Sequence, residues 1–238
     1  MPVFSYTKRL EKEKDRVYVS KTAGDGVCIA YLYHTNGLYR KSGWLGADRI
    51  FTTPEFQGRY DSVEISLLTP KFTLVPSHFF EPSSARASLE DVVDLAEGDR
   101  VETVDIPWFD SVLVYSNSIG ESLSRAISQT VTDTSGNHSS VLPEMYYLLK
   151  TLPDCEDYNK IVASWADGWL HLVVAQGKSL LLANVYSAPD FTTAEYFLFL
   201  ALKRLQMNPE VSTVCFRTPL SVEAEMSLYR YFKAVVQL

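Results

Sequence analysis

The sequence predicts an α/β protein made of two similar halves, and three observations carry that prediction. Each half opens on three short β-rich runs. The first turn in each is Asp-Gly, at Asp25-Gly26 and Asp167-Gly168. Each meander then leads to a helical stretch and a further strand. Asp-Gly supplies the positive φ angles that two-residue hairpins require, so the runs around it read as antiparallel strands. A second glycine closes the next turn in both halves: Gly37 stands 11 residues after Gly26, and Gly177 stands 9 after Gly168. Singly these are ordinary turns. As a matched pair they point to an internal duplication.

In chain order, Val17 to Ala23 alternates as a strand, Val27 to His34 follows the first Asp-Gly turn, and Leu38 to Leu45 follows Asn36-Gly37. Ala47 to Phe56 reads as a short helix broken by Pro54. Ser62 to Leu68 and Phe72 to Val75 read as strands, each stopped by a proline. Ser88-Leu89-Glu90-Asp91 has the form of a capping box opening a helix to Leu95, since a side-chain oxygen and a nearby acid satisfy free amides. Strands are expected at Arg100 to Ile106 and Ser111 to Tyr115, then a helix capped by Ser118 and Glu121 and running to Thr130. Thr132 to Ser140 is polar, holds Gly136 and Asn137, and reads as a linker. Val141 to Leu152 reads as a helix, with Pro143 tolerated in its first turn.

The second half repeats the plan. Strands are expected at Asn159 to Ala166, Trp169 to Ala175 and Ser179 to Tyr186, with Gln176-Gly177-Lys178 as the second turn. Thr192 and Glu195 suggest a capping box for a helix from Thr193 to Gln206. Val211 to Arg217 is a strand, and Ser221 caps a last helix to Val235, with Glu223 and Glu225 near its positive end.

A meander followed by helix, strand and helix is the core of the ribonuclease-H-like unit, and two such units in tandem make the actin-like ATPase fold. On that reading residues 1–131 form a first ribonuclease-H-like lobe with an inserted strand-helix segment, 132–158 a linker and connecting helix, and 159–238 a second lobe. An unrelated pair of α+β domains with hairpins fits the same pattern. The run Leu74-Val75-Pro76-Ser77-His78-Phe79-Phe80, the run from Gly177 to Asn184, and the aromatic-rich stretch from Thr192 to Leu205 resemble an uncharacterised bacterial family with an actin-like ATPase fold. The resemblance covers nearly the whole chain. It implies that fold and supplies no activity. The chain stops soon after the Ser221 helix, so the final strand and helix of larger actin-like proteins are expected to be missing.

At 238 residues the chain is long enough for one large domain or two lobes, and roughly 70% of the unfolded surface is buried at such a size. The net charge of −7 argues against a broad nucleic-acid surface. The basic cluster Lys8, Arg9, Lys12, Lys14 and Arg16 is interrupted by Glu11, Glu13 and Asp15, so it reads as a solvated arm. Cys28, Cys155 and Cys215 are far apart and odd in number, which supports neither a disulfide framework nor a zinc finger. The first residues hold no apolar core segment, and no run reaches about 18 apolar residues. A cytoplasmic protein without a transmembrane segment is expected.

An actin-like fold raises the prospect of Mg-ATP. Active members resemble one another in carrying a phosphate-binding hairpin in each lobe, with an acid for hydrated Mg²⁺, and a Gly-Gly turn against the adenosine. Asp25, Gly26, Asp167 and Gly168 occupy the corresponding hairpins and are the candidate cofactor residues. However, bulky Trp169 and Leu170 follow the second hairpin, and Phe216-Arg217-Thr218-Pro219-Leu220 has no glycine for the adenosine turn. Gly177-Lys178-Ser179 imitates the end of a P-loop, but Leu172 stands where the earlier glycine is needed. His34, His78, His138 and His171 have no metal-ligand spacing, and no nucleophile elbow is present. No catalytic or metal residue is predicted.

The stretch Tyr196 to Leu202 is apolar all round its helix, so it should be covered on more than one side. Burial between the sheet and the other lobe is one explanation. A protein partner or homodimer surface through Tyr196, Phe197 and Phe199 is the other. The sequence therefore reads as a non-catalytic actin-like scaffold or partner-binding protein without a cofactor. A nucleotide-binding ATPase with degenerate phosphate motifs is the alternative, and a sugar-kinase-like transferase is a weaker third reading that lacks a placeable cleft acid.

Overall fold

The first unit is built on β1 (Asp15–Lys21), in which Val17 and Val19 alternate with Arg16, Tyr18 and Ser20 and all five are buried. A strand buried on both faces belongs at the centre of a sheet. The computed structural model describes residues 15–21, 27–35, 38–41, 44–53, 59–60, 62–133 and 135–238. They fall into two compact units, one ending at Glu144 and the other starting at Met145.

In the first unit β2 (Val27–Thr35) pairs antiparallel with β1, and β3 (Leu38–Lys41) pairs antiparallel with β2. The expected strand Leu38 to Leu45 is divided. Its end is a separate β4 (Leu45–Gly46), which pairs with another stretch of β2. The expected helix from Ala47 is a single 3-10 turn, Ala47–Phe51, while 54–58 lie outside the described residues. β5 (Arg59–Tyr60) is short, and β6 (Val63–Leu68) lies parallel to β1.

Next comes an inserted antiparallel sheet of β7 (Phe72–Pro76), β8 (Arg100–Ile106) and β9 (Ser111–Asn117), with β9 central. Against it packs α1 (Ala85–Glu90), whose Leu89 forms a small core with Val112 and Val114. The capping box expected at Ser88 is overturned. The helix starts earlier, after a 3-10 turn opened by Pro82, whose fixed φ favours a helix start. Ser88 is inside it, donating to the Ser84 carbonyl at 3.0 Å, and Glu90 pairs with Arg86 at 2.8 Å. Between the strands, Lys71 Nζ stands 2.6 Å from the buried Asp99 carboxylate, which also accepts the Ala96 N–H.

α2 (Glu121–Thr130) is preceded by Gly120 at φ 80, so Ser118 does not cap it, and the Glu121 carboxylate is taken by Arg100 and Arg125. The polar segment after α2 is held within the first unit. β10 (Thr132–Asp133) pairs with β5, Asp133 accepts the Asn137 N–H at 2.8 Å, and Ser139 Oγ donates to the Val63 carbonyl at 2.7 Å. The helix expected from Val141 begins three residues later. β11 (Val141–Pro143) first joins β6 in parallel, and α3 (Glu144–Thr151) follows. The main path of the sheet is therefore β3-β2-β1-β6-β11.

In the second unit β12 (Asn159–Ala166), β13 (Trp169–Gln176) and β14 (Ser179–Ser187) form the antiparallel meander. α4 (Phe191–Arg204) then crosses back, its N-terminus capped by Asp190 rather than Thr192, since the Thr193 N–H meets Asp190 Oδ1 at 2.8 Å. β15 (Thr213–Phe216) lies parallel to β12, and α5 (Val222–Leu228) is capped by Ser221 as expected. This last helix is shorter than expected. Ala234-Val235-Val236-Gln237 is β16 (Ala234–Gln237), parallel to β15, so the strand expected to be missing is present. The sheet order is β14-β13-β12-β15-β16, and Leu172, Leu198, Leu202, Val214, Phe216 and Leu228 anchor its core.

Candidate functional site

Asp167 and Gly168 form a tight turn with φ 49 and 75, the left-handed pair that an Asp-Gly hairpin requires. The turn is backed by chain. The Gly168 carbonyl accepts the Ala188 N–H at 2.7 Å, and Pro189 Cα stands 3.9 Å from where a Gly168 side chain would begin. Asp25-Gly26 lies outside the described residues.

The segment after β15 is equally occupied. Arg217 is 2% exposed, its guanidinium 4.5 Å from the Tyr147 ring centroid. Thr218 Oγ1 accepts the Trp165 N–H at 2.8 Å, and the Leu220 N–H meets Gln237 Oε1 at 3.2 Å. Side-chain hydrogen bonds and the cap of α5 thus occupy the segment that corresponds to the adenosine turn. Gly177 has φ 57 and donates its N–H to Tyr158, a turn as expected.

Among the described residues the histidines form no cluster. His171 is fully buried opposite Ser164, His78 stacks near Phe79, His138 is exposed, and the His34 side chain is outside the described set. Among the described residues no group of His, Cys, Asp or Glu could hold a metal ion. One pairing had no sequence signal. The buried Cys215 thiol donates to the Cys155 thiol, which lowers the Cys155 pKa and raises that of Cys215, and Cys155 donates to the Thr151 carbonyl.

The aromatic stretch behaves differently from a core helix. Ala194, Leu198, Ala201 and Leu202 face the sheet, as their spacing dictates. Tyr196 is 61% exposed and sits edge-on to Phe197 at 5.3 Å, and Phe197 stacks on Tyr186 of β14 at 4.8 Å. On the other flank Phe199 lies 5.0 Å from the half-exposed Tyr231 and stacks on the buried Phe232 at 5.6 Å. An aromatic band therefore lies on α4 in two clusters, one against β14 and one against the segment before β16. Tyr196, Phe197 and Phe199 were legible from the sequence. Tyr231 reads from the sequence as part of the last helix's wide apolar face, fitting core or partner surface alike. Tyr186 was not legible, because only the crossing of α4 over the sheet brings it alongside. Met226 and Tyr229 of the last helical segment are also exposed.

No helix among the described residues is long and apolar enough to cross a membrane. The chain is similar to a Bacteroides thetaiotaomicron protein with an actin-like ATPase fold and unknown function. The TM-score is 0.60 at 15% identity, over 100% of this chain and 94% of that one. It is also similar to a chain of the PilM-PilN type IV pilus biogenesis complex, with a TM-score of 0.50 and 12% identity over 94% of this chain and 88% of that one. Likeness at this level shows a common fold, which is actin-like. No curated protein gives a match. The family described as protein of unknown function (DUF3822) matches residues 26–235, and the chain belongs to it.

Proposed function

We propose that this chain is a non-catalytic, cytoplasmic actin-like protein that holds a protein partner, and that the aromatic band across α4 receives it. One observation carries the reading. Tyr196 and Tyr231 are 61% and 50% exposed while set edge-on against half-buried rings, so they are held at the surface without being consumed by the core. Rings held this way lose little entropy on binding and supply much of an interface's energy. That one similar structure is a complex of two proteins agrees with a binding role.

Beneath this lies a structural proposal, that the two units are ribonuclease-H-like lobes descended from one duplicated unit. Its support is the shared strand order, in which two antiparallel pairings are followed by two parallel ones in both sheets.

The experiment places a benzoylphenylalanine cross-linker at position 196 and, as control, at the equally exposed position 211. A protein adduct specific to position 196, and diminished by Phe199→Ala, is expected. Identical adducts at both positions overturn the reading. Calorimetry with Mg-ATP and Mg-GTP tests the alternative ATPase. No binding heat is expected, because the Gly168 turn is backed by Ala188 and Pro189. Micromolar binding with turnover would replace this proposal.

A further inference from the structure

β14 ends its sheet, and among the described residues no strand pairs with its outer edge. Its nine residues, Ser179–Ser187, contain no charge and no proline. Natural sheets usually blunt an open edge with one or the other. The one irregularity is a bulge opposite Val174 and Ala175, near the start of the strand, which leaves its second part regular. Ala188 turns its N–H inward to Gly168, and residues two apart share a direction. Tyr186 and Asn184 therefore face β13, while Ala183, Val185 and Ser187 present their N–H and C=O groups outward.

The ends of the strand carry the charges that its middle lacks. Lys178 precedes it and Asp190 follows it; both are exposed and neither is ion-paired among the described residues.

We propose that β14 pairs antiparallel with β14 of a second copy about a two-fold axis at Asn184, joining two five-strand sheets edge to edge. Through the regular part of the strand opposed positions sum to 368, so Ala183 meets Val185 (183 + 185) and Leu182 meets Tyr186. The bulge at Leu181 shifts the start of the strand by one, which brings Lys178 to the second copy's Pro189-Asp190 corner. The outward groups of Ala183 and Val185 exchange hydrogen bonds, and two ion pairs bracket an uncharged strand. Parallel pairing would instead set Lys178 against Lys178. The end charges thus select the antiparallel, self-complementary arrangement. The surface is the sheet edge rather than the outward side of α4, and Tyr186 borders both.

Sedimentation of the full chain at tens of micromolar should show a dimer. Val185→Pro removes an outward N–H at a position where an edge strand tolerates proline, and should give a folded monomer. Lys178→Glu should weaken the dimer roughly three- to tenfold, since two modest exposed pairs become repulsions. Asn184→Cys, opposed to itself across a non-hydrogen-bonded pair, should form a covalent dimer on mild oxidation, whereas Ser179→Cys should not. If Val185→Pro fails to fold, the contrast between the two cysteine variants decides. A wild-type monomer, a dimer indifferent to Val185→Pro, or equal cross-linking at 184 and 179 overturns the proposal.

Discussion

The two main sheets share one strand order but join their fourth and fifth strands in different ways. In the second unit β15 and β16 are separated by residues 217–233, enough for one short helix. In the first, β6 and β11 are separated by residues 69–140, which hold a complete three-stranded sheet, two helices and the short β10. The central strands differ as well. β12 and β15 bury the uncharged Ser164 and Thr213 among their apolar residues, whereas β1 and β6 bury the charged Arg16 and Glu64, with Ser20 and Ser66, beside their valines and leucines. The lesson is that one strand order accommodates crossovers of very different length and central strands of different polarity. The crossover and the second face are left for other uses.

The largest expected effect tests whether the inserted sheet is energetically its own layer. Phe216→Ala removes a 1%-exposed ring from the core of the second unit and should cost about 4 kcal/mol in urea unfolding. Leu89→Ala empties the much smaller core under α1 and should cost about 3 kcal/mol. Hydrogen exchange should place the first loss in β12 to β16 and the second in β7 to β9, with β1 and β6 still protected. Equal loss in β1 and β6 on Leu89→Ala would break the contrast.

Next in size is the ion pair that ties the insert together. Asp99→Asn should cost about 2 kcal/mol, because Lys71 loses a charged acceptor at a largely buried site. Burial works against the Asp99 charge, but the Lys71 hydrogen bond, the Ala96 N–H and the Lys71 charge outweigh it and hold the carboxyl below its ordinary range. A carboxyl lowered on folding stabilises above its unfolded pKa, and that contribution fades as pH falls through the folded value. Thermal melts of wild type and Asp99→Asn should therefore differ fully at neutral pH and begin to converge only below about pH 4, as the folded carboxyl takes up its proton.

Smaller effects sharpen the comparison of hairpins and surface. Gly168→Ala forces a side chain into φ 75 and should cost about 1 kcal/mol in chemical unfolding. Tyr196→Ala should change stability by less than about 0.5 kcal/mol, because its ring lies mainly in solvent. A larger loss would mean that the ring serves the fold rather than a partner.

The meanders were legible because hairpin chemistry is local. Asp167-Gly168 and Gly177 adopt the positive φ angles that their residue types announce. The insert was legible only as strands and a helix, since nothing in Phe72–Pro76 or Arg100–Ile106 says that they pair with Ser111–Asn117 rather than with β6. Caps misled where two polar residues compete. Asp190 outbid Thr192 because its carboxylate reaches both the N–H and the hydroxyl of Thr193. β16 was hidden because Tyr231, Phe232 and Val235 continue the apolar spacing of α5, and the Arg230–Lys233 corner carries neither Gly nor Pro. The contact of Arg217 with Tyr147 joins residues 70 apart in sequence (217 − 147), which no local pattern encodes. The aromatic band was half visible for the same reason.

The hydrogen-bonded thiols of Cys155 and Cys215 make the second unit its own stopwatch. Cys155 follows the 3-10 turn Leu152–Asp154 and Cys215 sits in β15, so a reagent that alkylates thiols must wait for that turn or the sheet to part. In a Cys28→Ser background, labelling at Cys155 alone would time the release of the turn. Simultaneous labelling of both would time the opening of the sheet itself.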